Sequence, residues 1–217
     1  MSLSARFKPS NPFAEFPREV GVLVFSSFFV AVGFGIIAPT IPLFAKSFGV
    51  NNAQVGLIIS SFALARFASG LFAGKLVDKF GERLVYTTGV GFVAVSSFAA
   101  AFSQNYEQLL TFRAAGGLGS SMFSVAAGSI VLRAVDDTRR ARAQSLYNGS
   151  FLLGMMAGPV IGGFLTAISL RAPLFIYAVL LVISSVAGGF LLRNSVLAAR
   201  PTEKSINEKT SLRDALS

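Results

Sequence analysis

The chain has 217 residues, of which 53% are hydrophobic and only 13% are charged, and its mean hydropathy is +0.66. Water-soluble domains carry about 25% charged residues, so this composition excludes an ordinary soluble domain and favours a membrane protein. The sequence contains neither cysteine nor histidine, which excludes disulfides and thiolate metal sites and removes the usual zinc ligand and catalytic base. We therefore expect no metal, no cofactor and no enzymatic activity.

Six apolar stretches follow one another along the chain, each long enough to cross a bilayer as a helix. They are continuously apolar rather than alternating, which favours helices over the strands of a barrel. The first stretch is too long for the apolar part of a signal peptide, so we interpret it as a retained span. We predict a polar lead over residues 1–18, a six-helix membrane domain over 19–193 and a polar tail over 194–217, with spans near residues 20–45, 53–73, 84–103, 108–132, 143–169 and 173–192.

The basic residues lie mainly on one side of the predicted domain. Fifteen of the nineteen lie in the lead, the second and fourth loops and the tail, whereas the opposite side has only Lys46 and Arg171. Because basic loops stay in the cytoplasm, this distribution predicts a multi-pass protein of the inner or plasma membrane with both termini cytoplasmic. It accounts for the net charge of +9 without a nucleic-acid partner. An interfacial aromatic belt is predicted by four tyrosines near span ends, namely Tyr86, Tyr106, Tyr147 and Tyr177.

The second loop, with the sequence GKLVDKFGER from position 74, is the most informative segment. Its glycines permit a tight turn, and its aspartate can cap the next helix or pair with a basic group. A charged loop that only sets topology is an equally good interpretation. The segment resembles the signature loop of the major facilitator superfamily, G-x-L-x-D-[KR]-x-G-[RKE]-[RK]. The resemblance implies that the loop joins two halves of a transporter through Gly74, Asp78, Gly81 and Arg83, with Lys79 standing where arginine is common.

The fourth span contains the sequence RAAGGLG, whose first residue, Arg113, lies about five residues inside the predicted span. A charge within a span costs about 2.5–3.5 kcal/mol on insertion scales and normally faces protein or water. At this depth the side chain could instead extend along the helix to the headgroups. The segment is similar to the R-x-x-x-G-x-G pattern of the superfamily's fourth helix, which implies a part in proton-coupled transport for Arg113.

The fifth span repeats glycine at every fourth position and adds a proline. Such a side-chain-free stripe lets another helix approach closely, and by itself it indicates ordinary helix packing. The proline removes a backbone donor and is expected to kink the helix. As G-x-x-x-G-P-x-x-G-G the segment resembles the antiporter motif of drug:proton exporters, and the resemblance implies export for a span carrying Gly154, Gly158, Pro159, Gly162 and Gly163.

The first span contains Gly35, Pro39 and Pro42 near its outer end. Paired prolines break a helix, either to line or gate a cavity or simply for packing. The segment resembles the G-x-x-x-x-P-x-x-P element of the same exporters, which often carry an acidic residue there. Here no acidic residue lies well inside any span, so a proton carrier in this chain is Asp78 or Glu107 at the membrane edge, or lies elsewhere.

Arg66 lies near the middle of the second span, too deep for its charge to reach the headgroups easily. Ser69 and Gly70 follow at spacings that place them on the same helix face. We interpret Arg66 as facing a cavity, where it would attract anionic substrate groups or hold a carboxylate of a partner domain. The alternative is a structural arginine bonded to backbone carbonyls or to a neighbouring helix.

Together these segments identify an all-α membrane domain similar to the N-terminal six-helix half of a major facilitator transporter, with two inverted three-helix repeats. The resemblance implies proton-coupled export of small amphipathic compounds by alternating access. Its expected partners are the lipid bilayer, protons, a small-molecule substrate and either a C-terminal six-helix half or a second copy. We expect the chain to be a fragment rather than a complete transporter. Two alternatives stay open: a six-helix membrane domain that transports nothing, and a transporter of another class, such as sugar or metabolite uptake.

Overall fold

The computed structural model describes residues 16–193, and over these residues the chain is helical and contains no strand. Six stretches of helix, with α1 and α2 counted as one, are long and apolar enough to cross a membrane. The predicted helical class and the number of spans are thereby confirmed. The helices are α1 (Arg18–Ile37), α2 (Thr40–Lys46), α3 (Asn52–Phe80), α4 (Glu82–Ala101), α5 (Tyr106–Arg133), α6 (Asp137–Ile168) and α7 (Ala172–Leu191).

The cytoplasmic loops predicted from the sequence are much shorter in the structure. Helix α3 continues to Phe80, so the predicted turn over residues 74–83 contracts to Gly81, which adopts a φ of 83°. The prediction that Asp78 caps the next helix is wrong, because Gly81 occupies that position. A fall in hydropathy marks where a helix leaves the hydrocarbon core of the bilayer. The helix itself can continue into water, because its backbone hydrogen bonds continue to form there. Most of the predicted lead and the whole tail (residues 1–15 and 194–217) lie outside the described residues.

The first span is interrupted near its end. Helix α1 ends at Ile37 and α2 begins at Thr40, so the chain turns at Ala38 and Pro39. The Thr40 hydroxyl lies 2.7 Å from the hydroxyl of Thr166 on α6, so the residue that restarts the helix is also bonded to a neighbouring span. The interruption is therefore fixed by a contact with α6.

Helices α1 and α6 run parallel and pack closely along a stripe of glycines. A β-carbon at Gly158 would lie 2.5 Å from the Cα of Gly35 and 2.6 Å from the carbonyl oxygen of Val32. A hydrogen bond of 2.6 Å between the hydroxyls of Ser27 and Ser150 joins the same two helices. Because the backbones are in contact, only glycine fits at this crossing.

Helices α3 and α5 form a second parallel pair. A β-carbon at Gly117 would lie 3.0 Å from the β-carbon of Ala65, and the hydroxyls of Ser69 and Ser121 lie 2.7 Å apart. At the start of the pair the Tyr106 hydroxyl donates to the carbonyl of Gln54 on α3 at 3.1 Å. This pair therefore joins its helices in the same way as α1 and α6, by small residues and hydroxyl contacts.

Helices α4 and α7 pack antiparallel and are joined at both ends by arginines. The guanidinium of Arg83 donates to the carbonyl of Gly189 at 2.8 and 3.1 Å. At the opposite end Arg171 donates to the carbonyls of Ala101 and Ser103 at 3.0 and 2.9 Å. Helices α1, α3 and α4 correspond to α5, α6 and α7, which run in the opposite directions. Under this correspondence the contact of α1 with α6 matches that of α5 with α3, and the contact of α1 with α7 matches that of α5 with α4. The domain thus consists of two inverted three-helix repeats, as predicted.

The predicted aromatic belt is wrong for three of the four tyrosines. Tyr86 and Tyr177 are each 2% exposed and Tyr147 is 9% exposed, so all three lie inside the helix bundle. The ring of Tyr86 packs against Gly188 and that of Tyr177 against Gly33. A glycine on the facing helix leaves room for a ring that the sequence position alone would assign to the interface.

Candidate functional site

Arg66 is the central residue of α3, with fourteen helical residues on either side. Its guanidinium donates two hydrogen bonds to α5, one to the hydroxyl of Ser120 at 3.0 Å and one to that of Ser124 at 3.2 Å. The side chain is nevertheless exposed on the surface of the six-helix domain. Helix α5 therefore orients the charge of Arg66 without burying it.

A groove between α3 and α5 passes the Arg66 side chain. One segment of about 490 Å³ is lined by Arg66, Gly70 and Ser124, among others. A second segment of about 800 Å³ lies toward the N-terminal ends of both helices and is lined mainly by apolar side chains. Ala63 lines both segments, so the charged and apolar parts of the groove adjoin each other.

Arg113 lies inside the bundle, where it is only 6% exposed. Its guanidinium carbon is 4.6 Å from the centre of the Phe62 ring, a cation–π contact, and that ring packs against Phe34 of α1. Among the described residues, the Nε atom of Arg113 has no hydrogen-bond partner. This arginine is therefore held by aromatic rings and is directed away from the lipid-facing surface.

The signature-loop residues separate into two groups in the structure. Gly74, Asp78 and Lys79 lie exposed on the last two turns of α3. A β-carbon at Gly74 would meet no atom within 4 Å. Arg83, in contrast, is bonded to the carbonyl of Gly189 on α7. Gly81 forms the turn between α3 and α4, and Arg83 joins α4 to α7. The other three positions form a free surface.

Glu82 was not singled out from the sequence, yet it is only 1% exposed. It begins α4 and forms an ion pair with Arg133, the last residue of α5. The hydroxyl of Ser129 donates to the same carboxylate oxygen at 3.1 Å. The available signal was a carboxylate directly after a glycine at a helix start, where the helix dipole favours negative charge.

The fifth-span motif also separates by position. Gly154, Gly158 and Gly162 face α1, where a β-carbon at any of them would collide with backbone or with Ala31. A β-carbon at Gly163 would meet no atom within 4 Å, and Pro159 is exposed while α6 continues through it. The stripe therefore packs α6 on α1. Pro159 borders this contact, since a β-carbon at Gly35 would lie 3.2 Å from its Cδ, whereas Gly163 lies outside it.

The structure brings Arg66 to α5 beside the serines, but it does not bring Asp78 to Arg66. The two lie twelve residues apart on α3, which is roughly 18 Å along a helix. Of the candidate pathway residues, Arg66 thus lies on the domain surface midway along α3 and Arg113 lies inside the bundle, whereas the signature-loop residues lie at one end of the domain.

The family model of the Major Facilitator Superfamily matches residues 23–217. The chain belongs to this superfamily. It is an integral, multi-pass membrane protein with the architecture of an N-terminal half of a superfamily transporter, and it resembles drug-efflux members.

Two curated relatives illustrate the similarity. The chain is 28% identical to the quinolone resistance protein NorA of Staphylococcus aureus over 158 residues, which are 73% of this chain and 41% of NorA. It is 32% identical over 148 residues to an uncharacterised MFS-type transporter of Methanocaldococcus jannaschii, covering 68% of this chain and 38% of that protein. The chain therefore spans less than half the length of these relatives.

Solved structures share the fold at low sequence identity. A POT family transporter in complex with 5-aminolevulinic acid matches with a TM-score of 0.79 and 17% identity, over 92% of this chain and 45% of that one. The human organic anion transporter MFSD10 matches with a TM-score of 0.71 and 19% identity, over 81% and 48% of the two chains. Each match covers somewhat less than half of the other chain.

Proposed function

We propose that this chain forms one half of a proton-coupled exporter of small amphipathic compounds that works by alternating access. The observation that carries the proposal is Arg66, a charge at the centre of a membrane-spanning helix that is exposed beside a groove. Intramembrane charges are expensive and usually mark a substrate or ion pathway. We propose transport rather than catalysis for that reason.

Two further features support export. The fifth-span segment from Gly154 to Gly163 resembles the antiporter motif, and a curated relative is named for quinolone resistance.

The free surface of Gly74, Asp78 and Lys79 on α3 is available to a second six-helix unit. We propose that this unit is a C-terminal half or a second copy of the chain, and that the signature loop joins the two on the cytoplasmic side.

The proposed topology places both termini in the cytoplasm and is testable because the sequence has no cysteine. Single cysteines replace Ser47, which follows α2, and Thr138, at the start of α6, both of which are exposed. In intact cells a membrane-impermeant maleimide should label Ser47→Cys and should label Thr138→Cys only after the cells are opened. The reverse pattern would overturn the orientation.

Transport is testable in proteoliposomes that contain the chain in its native assembly. Proton antiport couples outflow of protons to inflow of substrate, so an acidic lumen should drive accumulation of an amphipathic, non-titrating fluorescent dye. We expect several-fold more dye than in vesicles with equal internal and external pH. A protonophore should abolish the difference, and protein-free liposomes provide the background.

The same assay separates the alternatives. Accumulation driven only by an alkaline lumen would indicate symport and uptake, and no flux under either gradient would indicate a domain that transports nothing. Either result contradicts the proposal. Arg66→Ala should abolish the gradient-dependent flux with normal membrane insertion, whereas Lys46→Ala, a charge removal at the exposed end of α2, should leave it unchanged.

A further inference from the structure

Arg66 is a charge without a counter-charge in this domain. Among residues 16–193 no carboxylate lies within ion-pair distance of it. Every acidic residue of that range lies at a helix end, within three residues of the first or last position. The acidic residues are Glu19, Asp78, Glu82, Glu107, Asp136 and Asp137. The centre of the membrane domain therefore carries positive charge only, from Arg66 and Arg113.

The guanidinium of Arg66 is oriented but not saturated. An arginine has five N–H donors in a planar fork, and Ser120 and Ser124 each accept from one terminal nitrogen. Ser124 is anchored in turn, because its hydroxyl donates to the carbonyl of Ser120 at 2.8 Å. Neutral hydroxyls fix the direction of the fork without cancelling its charge. An arginine held in this way is suited to bind a carboxylate, sulfonate or phosphate through its remaining donors.

The position of Arg66 excludes a surface that faces hydrocarbon. A charge at the bilayer centre costs about 2.5–3.5 kcal/mol even on insertion scales, and here the side chain is exposed on the domain surface. That surface is consequently next to water or an anionic group. The groove continues from Arg66 toward Leu57, nine residues earlier on α3 and roughly 14 Å away along the helix, and this part is mainly apolar.

We propose that Arg66 binds the anionic head group of an amphipathic substrate whose apolar body lies in the α3–α5 groove. This inference rests on the proposed transport function and specifies its substrate class as amphipathic anions. The adjoining apolar segment of about 800 Å³ favours a small molecule over a carboxylate from a partner helix.

The test uses three probes that share one apolar body and differ only in the head group: pyrenebutyrate, pyrenebutanol and pyrenebutyl-trimethylammonium. Binding is measured by fluorescence to the full chain in nanodiscs of phosphatidylcholine, with empty nanodiscs as background. A charge-assisted hydrogen bond predicts that the carboxylate binds at least about tenfold more tightly than the alcohol. The quaternary ammonium should bind no better than the alcohol.

Substitutions assign the preference to Arg66. In Arg66→Gln we expect the affinity for pyrenebutyrate to fall to that for pyrenebutanol, whose own affinity stays unchanged. Arg66→Lys keeps the charge but loses the planar fork, so the preference should shrink without disappearing. Ser124→Ala removes one hydroxyl that orients the fork and should lower only the affinity for the anion, by a few fold. Lys46→Gln is the matched control and should behave as the wild type.

The outcomes are decisive in both directions. Equal binding of carboxylate and alcohol, or a preference that survives Arg66→Gln, would overturn the inference. If phosphatidylglycerol in the nanodiscs displaces pyrenebutyrate, the anion bound is a lipid headgroup and the substrate assignment is wrong. A change in the mass of the assembly in Arg66→Gln would assign the arginine to a partner carboxylate instead.

The binding experiment is independent of proton coupling because it requires no gradient and no flux. Anion-selective binding without gradient-driven flux would contradict the proposed transport function but not the head-group site. Gradient-driven export of cationic dyes, with no preference for pyrenebutyrate, would support the transport function and overturn this inference. The two proposals can therefore fail separately.

Discussion

We expect Gly158→Ala, a single methyl addition to the fifth-span motif, to lower the thermal stability of the domain. The new β-carbon would lie 2.5 Å from the Cα of Gly35 and 2.6 Å from the carbonyl oxygen of Val32. Both are backbone atoms, so relief requires that α1 and α6 move apart. Overpacking of this kind costs about 1–3 kcal/mol, and a chain of this size loses about 2–4 °C in Tm per kcal/mol.

The motif supplies its own control. Gly163→Ala adds the same methyl group to the same helix, but its β-carbon meets no atom within 4 Å. Its Tm, measured in detergent by the loss of monodisperse protein on heating, should stay within about 1 °C of the wild type or rise slightly, since alanine favours the helix. Equal effects of the two substitutions would mean that α1 and α6 are not in contact at Gly158.

The second large effect is expected from Arg133→Met. This substitution leaves the carboxylate of Glu82, which is 1% exposed, without its cation. Removing one partner of a fully buried ion pair costs about 3–5 kcal/mol because an uncompensated charge stays buried. The Arg133 side chain is 47% exposed, so water weakens this pair and the expected cost is about 1–3 kcal/mol. The expected fall in Tm is at least about 2 °C, measured by the same heating assay.

A double substitution distinguishes lost charge pairing from lost packing. Glu82→Gln combined with Arg133→Met removes both charges and should recover most of the stability lost in Arg133→Met. Asp137→Asn is the surface control, since that carboxylate pairs with Arg140 but its side chain is 84% exposed. Exposed pairs contribute about 0–1 kcal/mol. If the double variant is no more stable than Arg133→Met, the unpaired charge of Glu82 is not the cause.

The number and order of the membrane helices could be predicted from the sequence because each span needs about twenty apolar residues, and such stretches are easily recognised. Helix ends could not, because a helix does not end where hydropathy falls. Helix α3 continues through Gly74 to Phe80, and α6 begins at Asp137, before the predicted span at residue 143. Residues with good helix propensity, such as Lys75 and Lys79 of α3 and Arg140 of α6, extend both helices beyond the apolar stretches.

The environments of single residues were harder to predict than the helices. Gly162 and Gly163 are neighbours in the sequence, yet one contacts α1 and the other faces open space. Helix rotation decides between them, and rotation depends on which helices are neighbours in space. The same holds for Tyr86, whose burial requires Gly188 on a helix a hundred residues later.

The position of Arg66 well inside its span was predicted from its distance to the span ends, and α3 continues for fourteen residues on either side of it. Its partners Ser120 and Ser124 were not predicted, because a contact between α3 and α5 is not encoded in either helix alone. Glu82 was missed for a similar reason. Its burial depends on Arg133, which lies at the end of another helix.

The closest helix pairs, α1 with α6 and α3 with α5, each join one repeat to the other, which has a consequence during synthesis. The contact between Ser27 and Ser150 spans 123 residues of chain. At about 5–20 residues per second, α1 is made roughly 6–25 s before its partner. During that interval α1 must remain in the membrane without its main contact. The nascent chain therefore depends on lipid or on an insertase to shield the exposed backbone and hydroxyl groups of α1 until the fifth span emerges.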